Sequence, residues 1–284
     1  AAFALGAPGS TTVIAFQVMP PADLVPGTYT LAALAEATRG RRFAEGYTVI
    51  DYPHIRRSIL FREATAPVVA FRLSVDRDLR VGYVPGAGDA VPDAIAAMGV
   101  RVEVLDDRAI VSGDLSTYDV IVLGIRAYET NAALLTANER LLDWARAGGT
   151  LIVQYQQYRY FSEGYAPYGL RARSPHDRVT DEGAPVRLLV PDHPVFNQPN
   201  RIGQQDFEGW VQERGLYFAH EWDERYLPLL ESADPGEEPQ RGGLLIAPLG
   251  DGFYVYTGLA LFRQLPAGVP GAYRLLANLL SLKR

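Results

Sequence analysis

The strongest constraint on this chain is a change of grammar near residue 79. Beyond it, short uninterrupted apolar runs alternate with segments of helical period. The runs are Arg80-Val81-Gly82-Tyr83-Val84, Val100 to Leu105, Tyr118 to Gly124 and Thr150 to Tyr155. Between them, Val91, Ile95 and Met98 share one helical face closed by Gly99. A longer pattern from Asn131 to Ala147 carries Leu134, Leu135, Leu141, Leu142 and Trp144. A strand that is apolar at nearly every position must be covered on both faces, and strands joined by helices run parallel. The reading is an α/β domain built on a doubly wound, mostly parallel sheet. Further strands are expected at Val186 to Val190, Gly243 to Ala247 and Phe253 to Thr257, with a closing amphipathic helix over Gly271 to Lys283.

Before residue 75 the pattern differs. Thr12 to Val18, Thr28 to Ala35, Gly46 to Pro53 and Ala66 to Leu73 are short, β-branched or alternating segments between Pro- and Gly-bearing turns. Such spacing is that of a small antiparallel β-sandwich. Four strands are few for one, so the expectation is the end of a sandwich whose beginning precedes Ala1. The expected organisation is therefore a partial β-sandwich over residues 1–76 and an α/β domain over residues 77–284.

Composition removes several function classes. Cysteine is absent, which excludes disulfides, thiolate metal sites and cysteine nucleophiles. A net charge of −6 supplies no basic field for nucleic acid. Lys283 is the only lysine, so arginine carries the positive charge and favours fixed, forked contacts. No run approaches the ~18 apolar residues of a membrane span. Ala1 to Ser10 lack the basic start and apolar core of a secretory signal. His54, His176, His193 and His220 share no metal-ligand spacing, and no Gly-x-Ser-x-Gly elbow occurs. No metal and no cofactor is expected.

Several strings carry a family resemblance: Asp51-Tyr52-Pro53-His54-Ile55, Val81 to Asp89, Gly124-Ile125-Arg126-Ala127-Tyr128, Gly148 to Tyr155 and Tyr254 to Pro266. Together they resemble the C-terminal region of large bacterial PIG-L-type deacetylase polypeptides. The resemblance covers essentially the whole chain. It implies a β-sandwich followed by a flavodoxin-like domain similar to class I glutamine amidotransferases and ThuA-like proteins. It also implies a separate N-terminal deacetylase domain of the same polypeptide as partner, and a periplasmic or secreted setting. The family's His-Pro-Asp-Asp zinc motif is missing; Asp192-His193-Pro194-Val195 offers no following carboxylates. Amidotransferases place a cysteine on a strained turn after a central strand, and the expected counterpart, Val153 to Gln157, holds glutamines and a tyrosine. The implied function is a non-catalytic accessory module, binding glycan or docking onto the deacetylase. The alternative is a carbohydrate-active hydrolase using carboxylates and tyrosines.

In open α/β sheets ligands bind beyond the carboxyl ends of the strands. Three loops should meet there. The first offers Gly86, Gly88 and Asp89, either as an amide cradle at a helix N-terminus or as a turn in which Asp89 caps the helix. Arg126, Tyr128 and Glu129 follow a buried strand; Arg126 either clamps a ligand or pairs with Asp89 or Glu129. Gln154, Tyr155, Gln156 and Tyr158 could supply amides and rings for a saccharide. The stretch from Gln156 to Asp181 is polar and tyrosine-rich, as befits a functional cover. Asp206, Glu208, Trp210 and Glu213 form an acidic–aromatic cluster, read as a loop anchored by Trp210 rather than a hydrolytic pair.

Overall fold

The computed structural model describes residues 2–7, 9–21, 23–37 and 39–282. The chain divides into two compact units, Ala1–Phe71 and Arg72–Arg284.

The first unit holds β1 (Gly27–Ala32), β2 (Ala35–Glu36), β3 (Arg42–Phe43), β4 (Glu45–Ile50), β5 (Ser58–Glu63) and β6 (Thr65–Ala70). They form three separate two-stranded antiparallel ladders, β1 with β6, β2 with β3 and β4 with β5. Among the described residues of this unit none is buried. The expected strand at Thr12 to Val18 is absent, and Val13 and Phe16 stand 89% and 70% exposed. The reason is physical: β-branched alternation marks a segment that suits a pleated surface, but a strand needs a partner edge. No two-layer core of a sandwich forms among the described residues.

The second unit begins with β7 (Arg80–Val84), α1 (Val91–Ala97), β8 (Arg101–Val104), α2 (Asp107–Ser112), β9 (Val120–Leu123), α3 (Ala127–Thr130), α4 (Ala132–Arg146) and β10 (Thr150–Gln154). A more irregular stretch follows, with α5 (Tyr158–Ser162), β11 (Leu170–Arg171), β12 (Asp177–Val179), β13 (Val186–Leu188), α6 (Pro194–Asn197), β14 (Gly215–Phe218), β15 (Glu221–Trp222), β16 (Leu227–Pro228) and β17 (Leu230–Ser232). The chain closes through β18 (Leu244–Leu249), β19 (Gly252–Thr257), α7 (Leu261–Gln264) and α8 (Pro270–Leu280).

A seven-stranded, mostly parallel sheet organises this unit, in the order β16-β18-β19-β10-β9-β7-β8. β8, β7, β9, β10 and β19 run parallel; β18 and β16 join antiparallel at one edge. Small antiparallel ladders surround it. Alternate strand residues enter two apolar layers. Val120, Val122, Ile152 and Val255 face the layer containing α1 and α8, while Ile121, Leu123, Leu151 and Tyr254 face the layer containing α4. Burial on both faces explains why these strands read as continuous apolar runs.

Helix boundaries follow local chemistry. Asn131 accepts from the backbone of Ala133 and Leu134 at the start of α4, and Gly99, at φ +82°, follows α1. The strands expected near Val186 and Gly243 are present as β13 and β18; β13 pairs with β17 outside the main sheet, and a tight turn at Gly250 folds β18 antiparallel onto β19. The closing helix ends at Leu280; Lys283, its expected end, lies outside the described residues.

Candidate functional site

The loops after β7, β9 and β10 meet at the carboxyl edge of the sheet. Two are nearly in backbone contact: Ala87 N–H donates to Ile125 O at 2.8 Å. Gly86 makes this approach possible, since a Cβ there would stand 2.0 Å from Ile125 O. The Asp89 carboxylate occupies the corner where the amide cradle was expected. Asp89 Oδ1 accepts from Tyr83 Oη at 2.5 Å and from Val91 N at 3.0 Å, while its Oδ2 accepts from Ile125 N at 3.3 Å. Asp89 ties two loops to the start of α1, and Gly88 supplies the φ of +89° that its turn requires.

Three further candidates are buried. Gln156 is fully buried; its Oε1 accepts from Tyr128 N, and its Nε2 donates to Gly124 O and Gln154 O. Tyr128 is buried in contact with Tyr160 and Tyr165, its hydroxyl on Asn138. Gln154 is 2% exposed; its Nε2 makes only long contacts of 3.4 Å to Tyr83 Oη and Leu123 O, and its Oε1 is buried without a partner.

Arg126 and Glu129 remain at the surface, half-buried. Arg126 sits on the strand-to-helix turn at φ 55°, ψ 28°, in the left-handed region. Residues 153–157, where the resemblance places a strained turn, contain no positive φ. The Arg126 backbone N–H is fixed by Tyr155 O at 2.9 Å. Its Nε is buried with no hydrogen-bond partner, and no ion pair within 4.0 Å joins it to Asp89 or Glu129 among the described residues. Glu129 Oε1 accepts from Gln157 N at 3.1 Å, whereas Oε2 is buried without a partner. Burial raises the Glu129 carboxyl above its ordinary range, against the lowering effects of its backbone hydrogen bonds and of Arg126.

A stack of rings flanks this pair. Tyr155 stacks on Tyr217 at 5.8 Å, and Tyr217 stacks on His176 at 3.9 Å with planes 3° apart. Tyr158 stands edge-on to Tyr217, and its hydroxyl accepts from His176 N at 3.0 Å. Tyr155 is 7% exposed, so it supports the stack and offers no free face; Tyr158 is 39% exposed and does. Burial lowers the His176 imidazole below its ordinary range, with Arg178 adding to the effect, so the ring is neutral near pH 7.

Sequence reasoning missed Tyr217. Arg178 pairs with Leu216 and Asp177 with Phe218, so Tyr217 is the extra residue of a β-bulge, at φ 51°. Bulges re-aim side chains beside sites, and this one turns the ring out of its ladder. Nothing in the local pattern signals it.

The acidic–aromatic cluster is structural. Asp206 is held by Arg274 at 2.6 Å and by Gly203 N, Trp210 is buried, and Glu213 is paired with Arg263 at 2.6 Å. His193 accepts from Val195 N and caps α6. No group of three or more metal-ligating side chains occurs among the described residues, and no helix among them is long and apolar enough to cross a membrane.

No family model matches the chain, and no curated protein matches it. Similar solved structures include two cytoplasmic proteins of Salmonella typhimurium. STM3548 is 14% identical with a TM-score of 0.47, covering 90% of this chain and 96% of that one. STM1381, from strain LT2, is 12% identical with a TM-score of 0.46, covering 91% and 97%. A cold-adapted β-galactosidase from Rahnella sp. R3 is 16% identical with a TM-score of 0.44, covering 75% of this chain and 32% of that one. Likenesses of this degree assign neither fold family nor function.

Proposed function

We propose that the α/β unit is a non-catalytic binding module whose carboxyl-edge site takes a carbohydrate-type ligand. One observation carries the reading: Arg126 and Glu129 each keep a buried hydrogen-bonding atom without a partner, beside a stack of aromatic rings. Leaving such atoms unpaired costs about 1–3 kcal/mol each, and the exposed remainder of each half-buried side chain is what a ligand's hydroxyls would meet. The guanidinium donates and the carboxylate accepts, so a polyol with both kinds of oxygen contact answers them together. The exposed face of Tyr158 suits the C–H face of a sugar ring.

The parallel strand order β8-β7-β9-β10-β19, with helices in both layers, supports a doubly wound, flavodoxin-like assignment of the amidotransferase-like type. A strand-to-helix turn in left-handed backbone is where such folds carry a nucleophile; here that position holds arginine, which binds rather than attacks. We therefore read the chain as an accessory module of a PIG-L-type N-acetyl-sugar deacetylase, partnered by a deacetylase domain of the same polypeptide. A hydrolytic role would call for a second free carboxylate facing Glu129, and nearby Glu213 is engaged by Arg263. Calorimetric titration with a panel of neutral and N-acetylated monosaccharides tests the binding claim. Arg126→Ala should weaken the bound sugar by tenfold or more, the equivalent of about 1.5–3 kcal/mol for a lost charged hydrogen bond. Heat-silent titration across the panel would remove the reading.

A further inference from the structure

A concavity lies at the far end of the ring stack. A cavity of about 490 Å³ lies against Trp222, His176, His220, Arg178 and the chain from Glu237 to Arg241. That volume is within the ~300–1,000 Å³ range of small-molecule sites. Its wall has a fixed polar centre. Asp177, at the start of β12, has a fully buried side chain whose Oδ2 accepts from His220 Nδ1 at 2.8 Å. Arg173 Nε lies 2.5 Å from the other oxygen as an ion pair, and no well-aligned hydrogen bond reaches that oxygen. Because a carboxylate oxygen accepts, Nδ1 carries the imidazole proton and Nε2 is left as an acceptor. The His220 side chain is 42% exposed, so that acceptor is within reach of a ligand. The half-buried indole of Trp222 supplies an apolar wall.

Charge decides the kind of ligand. Arg173, Arg178 and Arg241 on the lining are matched by Asp177, Glu237 and Glu238, so the cavity favours no strongly charged ion and suits a neutral polyol. Continuity decides its length. His176 lines this cavity and also ends the Tyr155–Tyr217–His176 ring stack beside Arg126 and Glu129. One ring system thus runs from Arg126 and Glu129 to the cavity.

We propose that the cavity at Trp222 and His220 is a second saccharide subsite, so that the ligand is a neutral chain of two or more sugar rings rather than a single ring. The inference rests on the saccharide reading of the Arg126 site. One ring sits against Tyr158, hydrogen-bonded to Arg126 and Glu129. The chain passes over His176, and a further ring packs on Trp222 with a hydroxyl donating to His220 Nε2.

The test is calorimetric titration of the whole chain with glucose and N-acetylglucosamine and with their β-1,4-linked oligomers of two to four rings. One series should bind as a monomer and tighten by tenfold or more as rings are added. Trp222→Leu and His220→Gln should each return the oligomer to the monomer's Kd without changing the monomer's; glutamine keeps an N–H donor for Asp177, and circular dichroism verifies folding. Arg126→Ala should weaken every length by a similar factor. A Kd independent of ring number, or a length gain that survives both substitutions, overturns the second subsite and leaves the first intact. Absence of binding at every length overturns both.

Discussion

At Arg126 the chain places a long charged side chain in left-handed backbone, a conformation that costs a non-glycine residue roughly 1–2 kcal/mol. Strain of this kind persists where surrounding structure fixes it, here through the bond from Arg126 N–H to Tyr155 O. Glycine at that position carries no such penalty. Arg126→Gly should therefore hold or raise stability in urea denaturation, by up to about 1 kcal/mol, while weakening saccharide binding as Arg126→Ala does. Loss of stability instead would make the guanidinium a structural strut. Glu129 gives a pH signature. Its carboxyl is raised by burial, so the folded protein holds the proton more tightly than the unfolded chain. The Glu129 contribution to stability is thus present below the ordinary glutamate pKa and is lost as pH rises through the raised folded value. Glu129→Gln should remove that decline from a pH series of denaturation midpoints. An unchanged decline would assign it to another group. Arg126, Glu129 and Tyr158 were legible in the sequence because they follow apolar strand runs. Gln154, Gln156, Tyr128 and Tyr155 were equally well placed along the chain, and only packing decided that they face inward.

The elements themselves were the most legible part of the α/β unit. β7, β9 and β10 announce themselves as apolar runs because both faces are covered, and α1 and α4 by their periodic stripes and the Gly99 and Asn131 signals. The short elements between β10 and β18 were not legible. β11, β15 and β16 span two residues each, too few for any period, and the bulge at Tyr217 is a relation between two strands. Gly86 shows how one residue couples elements. It reads as part of an amide cradle, yet in the fold it lets the loops after β7 and β9 touch. Gly86→Ala would drive a methyl into backbone, with no flexible side chain to yield. The expected cost is about 1–3 kcal/mol, the scale of overpacking a tight site, seen as a lowered urea midpoint at unchanged slope. Gly88→Ala meets no atom within 4 Å and pays only for its positive φ, about 1 kcal/mol. Equal losses for the two would refute the close-approach account.

At the scale of the whole molecule the two units differ in kind. The buried core, from Leu79 to Leu282, belongs entirely to the second unit, as far as the described residues extend. In the first, Val13, Phe16, Met19, Tyr47 and Phe61 are each at least 64% exposed, and every ladder has only two strands. Two-stranded ladders without a covered face are marginal in water, because cross-strand bonds alone do not offset the entropy of ordering the chain. Stability should therefore be split along the sequence. In native-state hydrogen exchange, amides of β9, β10 and α8 should open only with global unfolding, while those of β1, β4, β5 and β6 should exchange through small local openings. Val13→Asp and Phe16→Asp should each leave the main thermal transition within about 0.5 kcal/mol of the parent, since neither side chain loses a buried contact. A charge at Leu123 or Ile152, both essentially inaccessible, should abolish the transition. Protection of β1 and β6 to the level of β9 and β10 would contradict the exposed state of the first unit. It would mean that those apolar side chains are covered in solution by a surface other than the described residues of their own unit.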